Sequence, residues 1–375
     1  MVQRQLTVLQ VLPALRSGGV ERGTLEVARH LVAHGHRSLV VSAGGGMVDQ
    51  LTAEGSEHLT LPIGRKSLLT LRLVPALRRY LREQQVDVLH IRSRMPGWVA
   101  FLAWRGMDPA TRPHLVSTVH GMYSVNAYSA VMTRGERVIA VSDTVRDYVA
   151  ANYPRVDTGR IEVIHRGIDP AEYPPGFRPS AGWLANWSAE YPQLADRKII
   201  TLPGRITRLK GHEDFLRLLG RLCAQDHTVH GLIVGGAEPR KQRYLQELHA
   251  QIAQLGLADH VSFTGQRGDL REILAISDIV LSLSNKPESF GRTTLEALAM
   301  GVPVLGYDHG GVGEILARAW PRGAVPLGDV EAAVDWLVAQ HARPERPPAC
   351  DAFPLSRMLD STLGLYETLA AERRA

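Results

Sequence analysis

The sequence predicts an α/β protein built from two doubly wound domains in series. Three observations carry that prediction. Short runs rich in Val, Ile and Leu alternate with longer segments of helical period, most of the runs are nearly continuous in hydrophobicity, and the alternation comes in two sets parted by a proline-rich stretch. Continuous apolar runs suit parallel strands covered by helices on both faces. The intervening helices supply the crossovers that parallel pairing requires.

In the first set the strand-like runs are 6–12, 39–42, 86–91, 115–119, 138–141 and 161–165. In the second they are 198–202, 231–234, 260–264, 278–283, 302–306 and 324–327. Residues 1–168 are therefore read as a first domain, 169–196 as a linker lying on the surface, and 197–354 as a second domain. The tail 355–375 is helical in pattern, with Leu359, Leu363, Tyr366 and Leu369 three or four apart. Packing back toward the first domain is the simpler expectation, and a partner-binding role is the alternative. In doubly wound domains ligands lie at the carboxyl ends of the strands, so a cleft between facing domains is expected.

The 375 residues, 45% apolar and 22% charged, suffice for two full cores. Cys223 and Cys350 make neither a disulfide framework nor a CxxC metal site, which fits a reducing cytoplasm. The opening residues lack the pattern of a secretory signal. The longest stretch free of charged residues, 113–133, contains His114, His120 and Asn126 and makes a poor membrane span. Charge is uneven. Residues 1–165 hold 20 Lys and Arg against 13 Asp and Glu, whereas 166–375 hold 23 against 25. The basic half points to an anionic partner. Within it, residues 65–82 carry six basic and no acidic side chains. That segment reads either as a packing helix with a solvated basic side or as a contact for an anionic membrane surface. No motif for nucleic acid is present, and neither GxGxxG nor a Walker A sequence occurs.

The chemistry concentrates in 286–304. Glu288 sits at a strand-to-helix turn and Glu296 lies eight residues on, roughly 12 Å along a helix. One carboxylate can face the reacting end of an extended ligand and the other its far end. Backbone N–H groups near Ser289, Phe290 and Gly291 open the helix as an anion site. Taken alone, the spacing slightly favours an ordinary βα unit with solvated glutamates. Arg205 and Lys210 bring two cations to another strand–helix turn, which suits a departing nucleoside diphosphate. Gly18 and Gly19 permit close backbone approach to a phosphate. His120 follows a strand.

These elements together resemble the retaining nucleotide-sugar glycosyltransferases of family 4. The resemblance rests on Gly18-Gly19-Val-Glu-Arg22, Val119-His120-Gly121, Pro203-Gly204-Arg205 with Lys210-Gly211, Glu288 and Glu296 in Glu-x7-Glu, and Gly310-Gly311-Val-Gly-Glu314. It implies the GT-B fold, two Rossmann-like domains facing across a cleft. It also implies catalytic roles for His120 and Glu288, with Glu296 on ribose and Arg205 and Lys210 on diphosphate. Gly265 and Arg267 would lie near the nucleotide base. The donor would be a UDP-, GDP- or ADP-linked sugar, with no cofactor and no metal. Residues 165–170 and 202–211 bring bacterial enzymes of lipopolysaccharide core or other envelope glycans nearest. The first domain would then meet a glycan or lipid-linked acceptor. Arg92 and Arg94, where the family often has a His-x-His pair, would bind an acidic group on the acceptor or face solvent, and Tyr123 and Asn126 would line its wall. A non-catalytic sugar-nucleotide scaffold, or another GT-B enzyme such as an epimerase, is the alternative.

Overall fold

Apolar runs buried on both faces become two parallel sheets. The computed structural model describes residues 4–16, 18–237 and 242–372. The chain divides into two units, 1–166 with 355–375, and 167–354.

The first unit holds strands β1 (Thr7–Val11), β2 (Arg37–Ser42), β3 (Glu57–Thr60), β4 (Val88–Ile91), β5 (His114–Val119), β6 (Arg137–Ala140) and β7 (Ile161–Val163), ordered β3-β2-β1-β4-β5-β6-β7. Every pairing is parallel. The second holds β8 (Lys198–Pro203), β9 (Val229–Val234), β10 (Val261–Gly265), β11 (Ile279–Ser282), β12 (Val304–Tyr307) and β13 (Ala324–Val325), ordered β10-β9-β8-β11-β12-β13, also all parallel. In each sheet the order runs outward one way and then reverses. The reversal falls between β1 and β4 in the first unit and between β8 and β11 in the second. Those junctions are where helices diverge to opposite faces and leave room for a ligand.

Three elements differ from the sequence reading. Strand β3 has no apolar run to announce it, because Glu-His-Leu-Thr forms a half-exposed sheet edge. Residues 169–196 belong to the second unit and are more than a linker. They contain a helix, Ala181–Glu190, capped by Ser180, whose Oγ accepts from the Trp183 N–H. Its one fully buried residue, Trp187, packs with Tyr191, Leu194, Ile199, Leu232, Val234 and Ile273. A single buried position leaves no helical period to detect. The third is 324–327, of which only two residues pair.

The helix Leu355–Glu372 lies in the first unit. Leu355, Met358, Leu359, Leu363, Tyr366 and Leu369 share a core with Val8, Val88, Val116 and Ile139 of four neighbouring strands. Tyr366 is fully buried, and its hydroxyl meets His90 Nδ1 at 2.6 Å, while His90 Nε2 meets Thr118 Oγ1 at 2.6 Å. Burial holds His90 well below the usual histidine range, so a neutral ring bridges strand and helix. Tyr366→Phe orphans one ring nitrogen and should cost about 1–2 kcal/mol of stability in urea denaturation followed by circular dichroism.

Candidate active site

In the second unit the reversal point is occupied by the residues that the sequence singled out. Lys210 follows β8 and Glu288 follows β11, the two strands that flank the reversal. Lys210 Nζ lies 2.7 Å from Glu288 Oε1, and the Ser284 hydroxyl donates to the same oxygen. Burial alone would raise the Glu288 carboxyl. The Lys210 charge and the hydrogen bonds from Lys210 and Ser284 outweigh it and hold the group below the usual carboxylate range. His309 Nε2 donates to the Ser284 carbonyl at 2.7 Å, which fixes the loop that carries Glu288.

Helix N-termini frame this pair. The helix His212–Cys223 begins just after Lys210, Arg292–Ala299 begins four residues after Glu288, and Gly310–Ala319 begins against Glu288 itself. The Gly311 N–H donates to the Glu288 carbonyl at 2.8 Å. Gly310 has φ of 62°, and a Cβ there would sit 2.8 Å from the Glu288 nitrogen, so only glycine allows this approach. Free first-turn N–H groups and aligned dipoles make such ends favourable for anions. The Lys210 alkyl chain runs across Gly204, beside the exposed Arg205.

The other expected donor residues divide. Glu296 is buried on the helix Arg292–Ala299, 3.5 Å from Arg292 Nε. Gly291 caps that helix with φ of 98°, and Ser289 is half-buried. The Phe290 ring is core, edge-on to Phe353 at 5.6 Å, so only its backbone can face a ligand. Gly265 ends β10 with φ of 70°. Arg267, two residues past β10, is engaged within the second unit. Its guanidinium is held by Asp269 at 2.8 Å and Glu190 at 2.9 Å, and it lies over the Trp187 ring. It ties the helix Ala181–Glu190 to the sheet edge.

In the first unit Gly18 precedes the helix Gly19–Ala33, whose first residue is Gly19. Here β1 and β4 flank the reversal, and Gln10 of β1 accepts from Arg92 Nη1 at 2.7 Å. Arg92 is only 2% exposed, so it does not face solvent. Arg94 instead stacks over Tyr123 at 4.7 Å and Tyr128 at 5.4 Å. Asn126 is exposed and accepts from the Ser129 N–H at 2.8 Å, and Arg94 Nη1 donates to the Ser129 hydroxyl at 3.4 Å.

His120, one residue past β5, is held by a residue outside the expected set. Arg166 Nη2 donates to His120 Nδ1 at 2.6 Å. A guanidinium can only donate, so Nδ1 is bare and the neutral ring carries its proton on Nε2. That Nε2 is buried and makes no hydrogen bond among the described residues. Burial, followed by the charges of Arg166 and Arg92, holds the ring well below the usual histidine range. Gly23 makes room for both arginines, since a Cβ there would lie 2.1 Å from Arg166 Nη1 and 3.2 Å from Arg92 Nη2. A glycine inside a helical pattern is the one sequence signal that could have found this cluster. For metals, His30 in the last turn of the helix Gly19–Ala33, His34 capping it and Asp360 on the helix Leu355–Glu372 place ligand atoms within 4.8 Å of one another, away from the Gly18 end. In long-range proton–nitrogen NMR spectra His120 should appear as the Nε2–H tautomer at neutral pH. Arg166→Met should convert it to a tautomer mixture and move its pKa upward.

Residues 17–172 match the family model described as Glycosyltransferase Family 4, and 185–337 match Glycosyl transferases group 1. A D-inositol 3-phosphate glycosyltransferase of Mycolicibacterium smegmatis is 27% identical over 402 residues, covering 98% of this chain and 86% of that protein. The crystal structure of a glycosyltransferase from Rickettsia africae ESF-5 is 29% identical, with a TM-score of 0.81 over 97% of this chain and 98% of that one. Anabaena HepE, solved with UDP and glucose, shares the fold at 21% identity and a TM-score of 0.75, over 98% and 95% of the two chains. WaaG, a glycosyltransferase involved in lipopolysaccharide biosynthesis, shares it at 18% and 0.64, over 98% and 94%.

Proposed function

The chain belongs to the family 4 glycosyltransferases of GT-B fold, and on that premise we propose that it is a retaining hexosyltransferase. It moves a hexose-type sugar from a nucleotide-diphospho-sugar to a hydroxyl of a glycan or glycolipid. The observation that carries this reading is the Lys210–Glu288 pair at the strand-order reversal, framed by helix N-termini.

The second unit holds the donor. Glu296 takes the ribose hydroxyls, and Arg205, Lys210 and the helix starts take the diphosphate. As the glycosidic bond to the diphosphate breaks, negative charge grows on the leaving oxygens, and these fixed donors stabilise it. They supply the charge that a divalent cation would otherwise bring, so the reaction is read as metal-independent. Glu288, kept ionised by Lys210, accepts from sugar hydroxyls and orients the hexose. The acceptor hydroxyl attacks on the face that the diphosphate leaves, which retains configuration.

His120 belongs to the donor sugar. Its Nε2–H suits a sugar hydroxyl, and an uncharged ring does not oppose the positive charge that develops at the anomeric carbon. The Arg94–Tyr123 stack offers a cationic, aromatic wall for an acceptor glycan. Two free cysteines fit reaction in a reducing cytoplasm. Lipopolysaccharide core or another envelope glycan is the proposed destination, supported by the resemblance at 165–170 and 202–211.

Thermal-shift screening with UDP-, GDP- and ADP-sugars should show stabilisation by one nucleotide class, about 3 kcal/mol at a hundredfold excess over Kd. A flat screen would count against the reading, and stabilisation without sugar release on adding acceptor would favour the non-catalytic sugar-nucleotide scaffold. Once a donor is known, Glu288→Gln and Lys210→Ala should each lower kcat by about 10²–10³ in a sugar-transfer assay, and wild-type rates would sink the reading. Because the His120 pKa is lowered, its neutral form persists as pH falls through the usual histidine value near 6.5. The profile of kcat/KM should therefore show no acid limb there.

A further inference from the structure

The segment 65–82 resolves into two surfaces. Its helix Val74–Glu83 buries Leu77 and Leu81, so the apolar face packs inside the first unit. Arg78 turns inward as well, donating to the carbonyls of Leu102 and Ala103. The opposite stripe, Arg72, Pro75, Arg79 and Arg82, is exposed. Ahead of it, the two-turn 3-10 segment Leu68–Leu73 is capped by Ser67, whose Oγ accepts from the Leu69 N–H. That cap holds two adjacent leucines out in solvent. Leu68 is 85% exposed and Leu69 67%, the two largest exposures of large apolar side chains among the described residues. Exposed Arg65 and Lys66 stand immediately before them. Arg65, Lys66, Arg72, Arg79 and Arg82 make no ion pair among the described residues, and no acidic residue lies between 58 and 82.

We propose that this surface docks the first unit onto an anionic lipid bilayer, with Leu68 and Leu69 entering the headgroup layer and the five cations facing lipid phosphates. Charge complementarity names the occupant. A protruding apolar tip ringed by unneutralised cations matches a surface that is negative outside and apolar within. A protein partner would have to supply an acidic rim and an apolar pocket together. The mode differs from that of an amphipathic helix lying in the interface, because here the helix's apolar face is already buried. The contact is independent of the residues assigned to sugar transfer.

The test is sedimentation of the full chain with vesicles of phosphatidylethanolamine containing about a third phosphatidylglycerol, against neutral phosphatidylcholine vesicles. The chain should bind the anionic vesicles alone, and less at high salt. Leu68→Ser with Leu69→Ser should weaken binding about tenfold or more. Each of Arg72→Gln, Arg79→Gln and Arg82→Gln should weaken it about fivefold at low salt. All of these positions are exposed, so melting temperatures should stay at the wild-type value, which separates lost docking from lost fold. Failure to bind anionic vesicles, equal binding to neutral ones, or binding untouched by both sets of variants overturns the proposal. So does analytical ultracentrifugation showing a dimer that the leucine changes dissociate, since the tip would then serve a second copy of the chain.

Discussion

Everything in this molecule that could act on a ligand depends on one constraint of parallel sheets. Neighbouring parallel strands must be joined by a right-handed crossover, so a sheet built outward in one direction places its helices on one face. When the order reverses, the next helix goes to the other face, and the loops at the two flanking strands part. In the second unit β8 and β11 flank that gap, and Lys210 and Glu288 come together there although 78 residues separate them. In the first unit β1 and β4 flank it, and Gln10 meets Arg92.

The two gaps are furnished differently. The second has a carboxylate ionised by a partnered lysine, with helix starts around it. The first has two buried guanidinium groups packed over a glycine, and a histidine kept neutral by burial and by the charge of both. A charged imidazole beside Arg92 and Arg166 would add a third positive centre in a dry setting, where like charges repel strongly. Neutrality of His120 is thus set first by burial and reinforced by its arginine neighbours.

Much of this was legible in the sequence because strand ends carry their motifs locally. Glu288, Gly291 and Glu296 are written within nine consecutive residues, and Lys210 with Gly211 sits at the next such turn. What depends on sheet neighbours was not legible. Arg166 reaches His120 only because β5, β6 and β7 are adjacent. Arg92 reads as a polar strand end, yet it turns inward to Gln10. Arg267 reads as a cation near a ligand, and its spacing gives no sign that Glu190, 77 residues away, pairs with it. Ion pairing to residues far along the chain leaves no trace in spacing. The helix around Trp187 escaped for another reason, since a helix with one buried residue has no stripe.

The placement of the helix Leu355–Glu372 bears on how the protein is made. It completes a core of the first unit, but 188 residues of the second unit are synthesised between that unit's last strand and this helix. At roughly 5–20 residues per second, translation leaves the strand face around Val88, Val116 and Ile139 uncovered for about ten to forty seconds. The second unit, contiguous in the chain, can collapse as soon as it emerges. The first unit's core can therefore be completed only after the second unit has been synthesised. The half translated first is the half that waits, and its open apolar face is the one a ribosome-bound chaperone would have to guard.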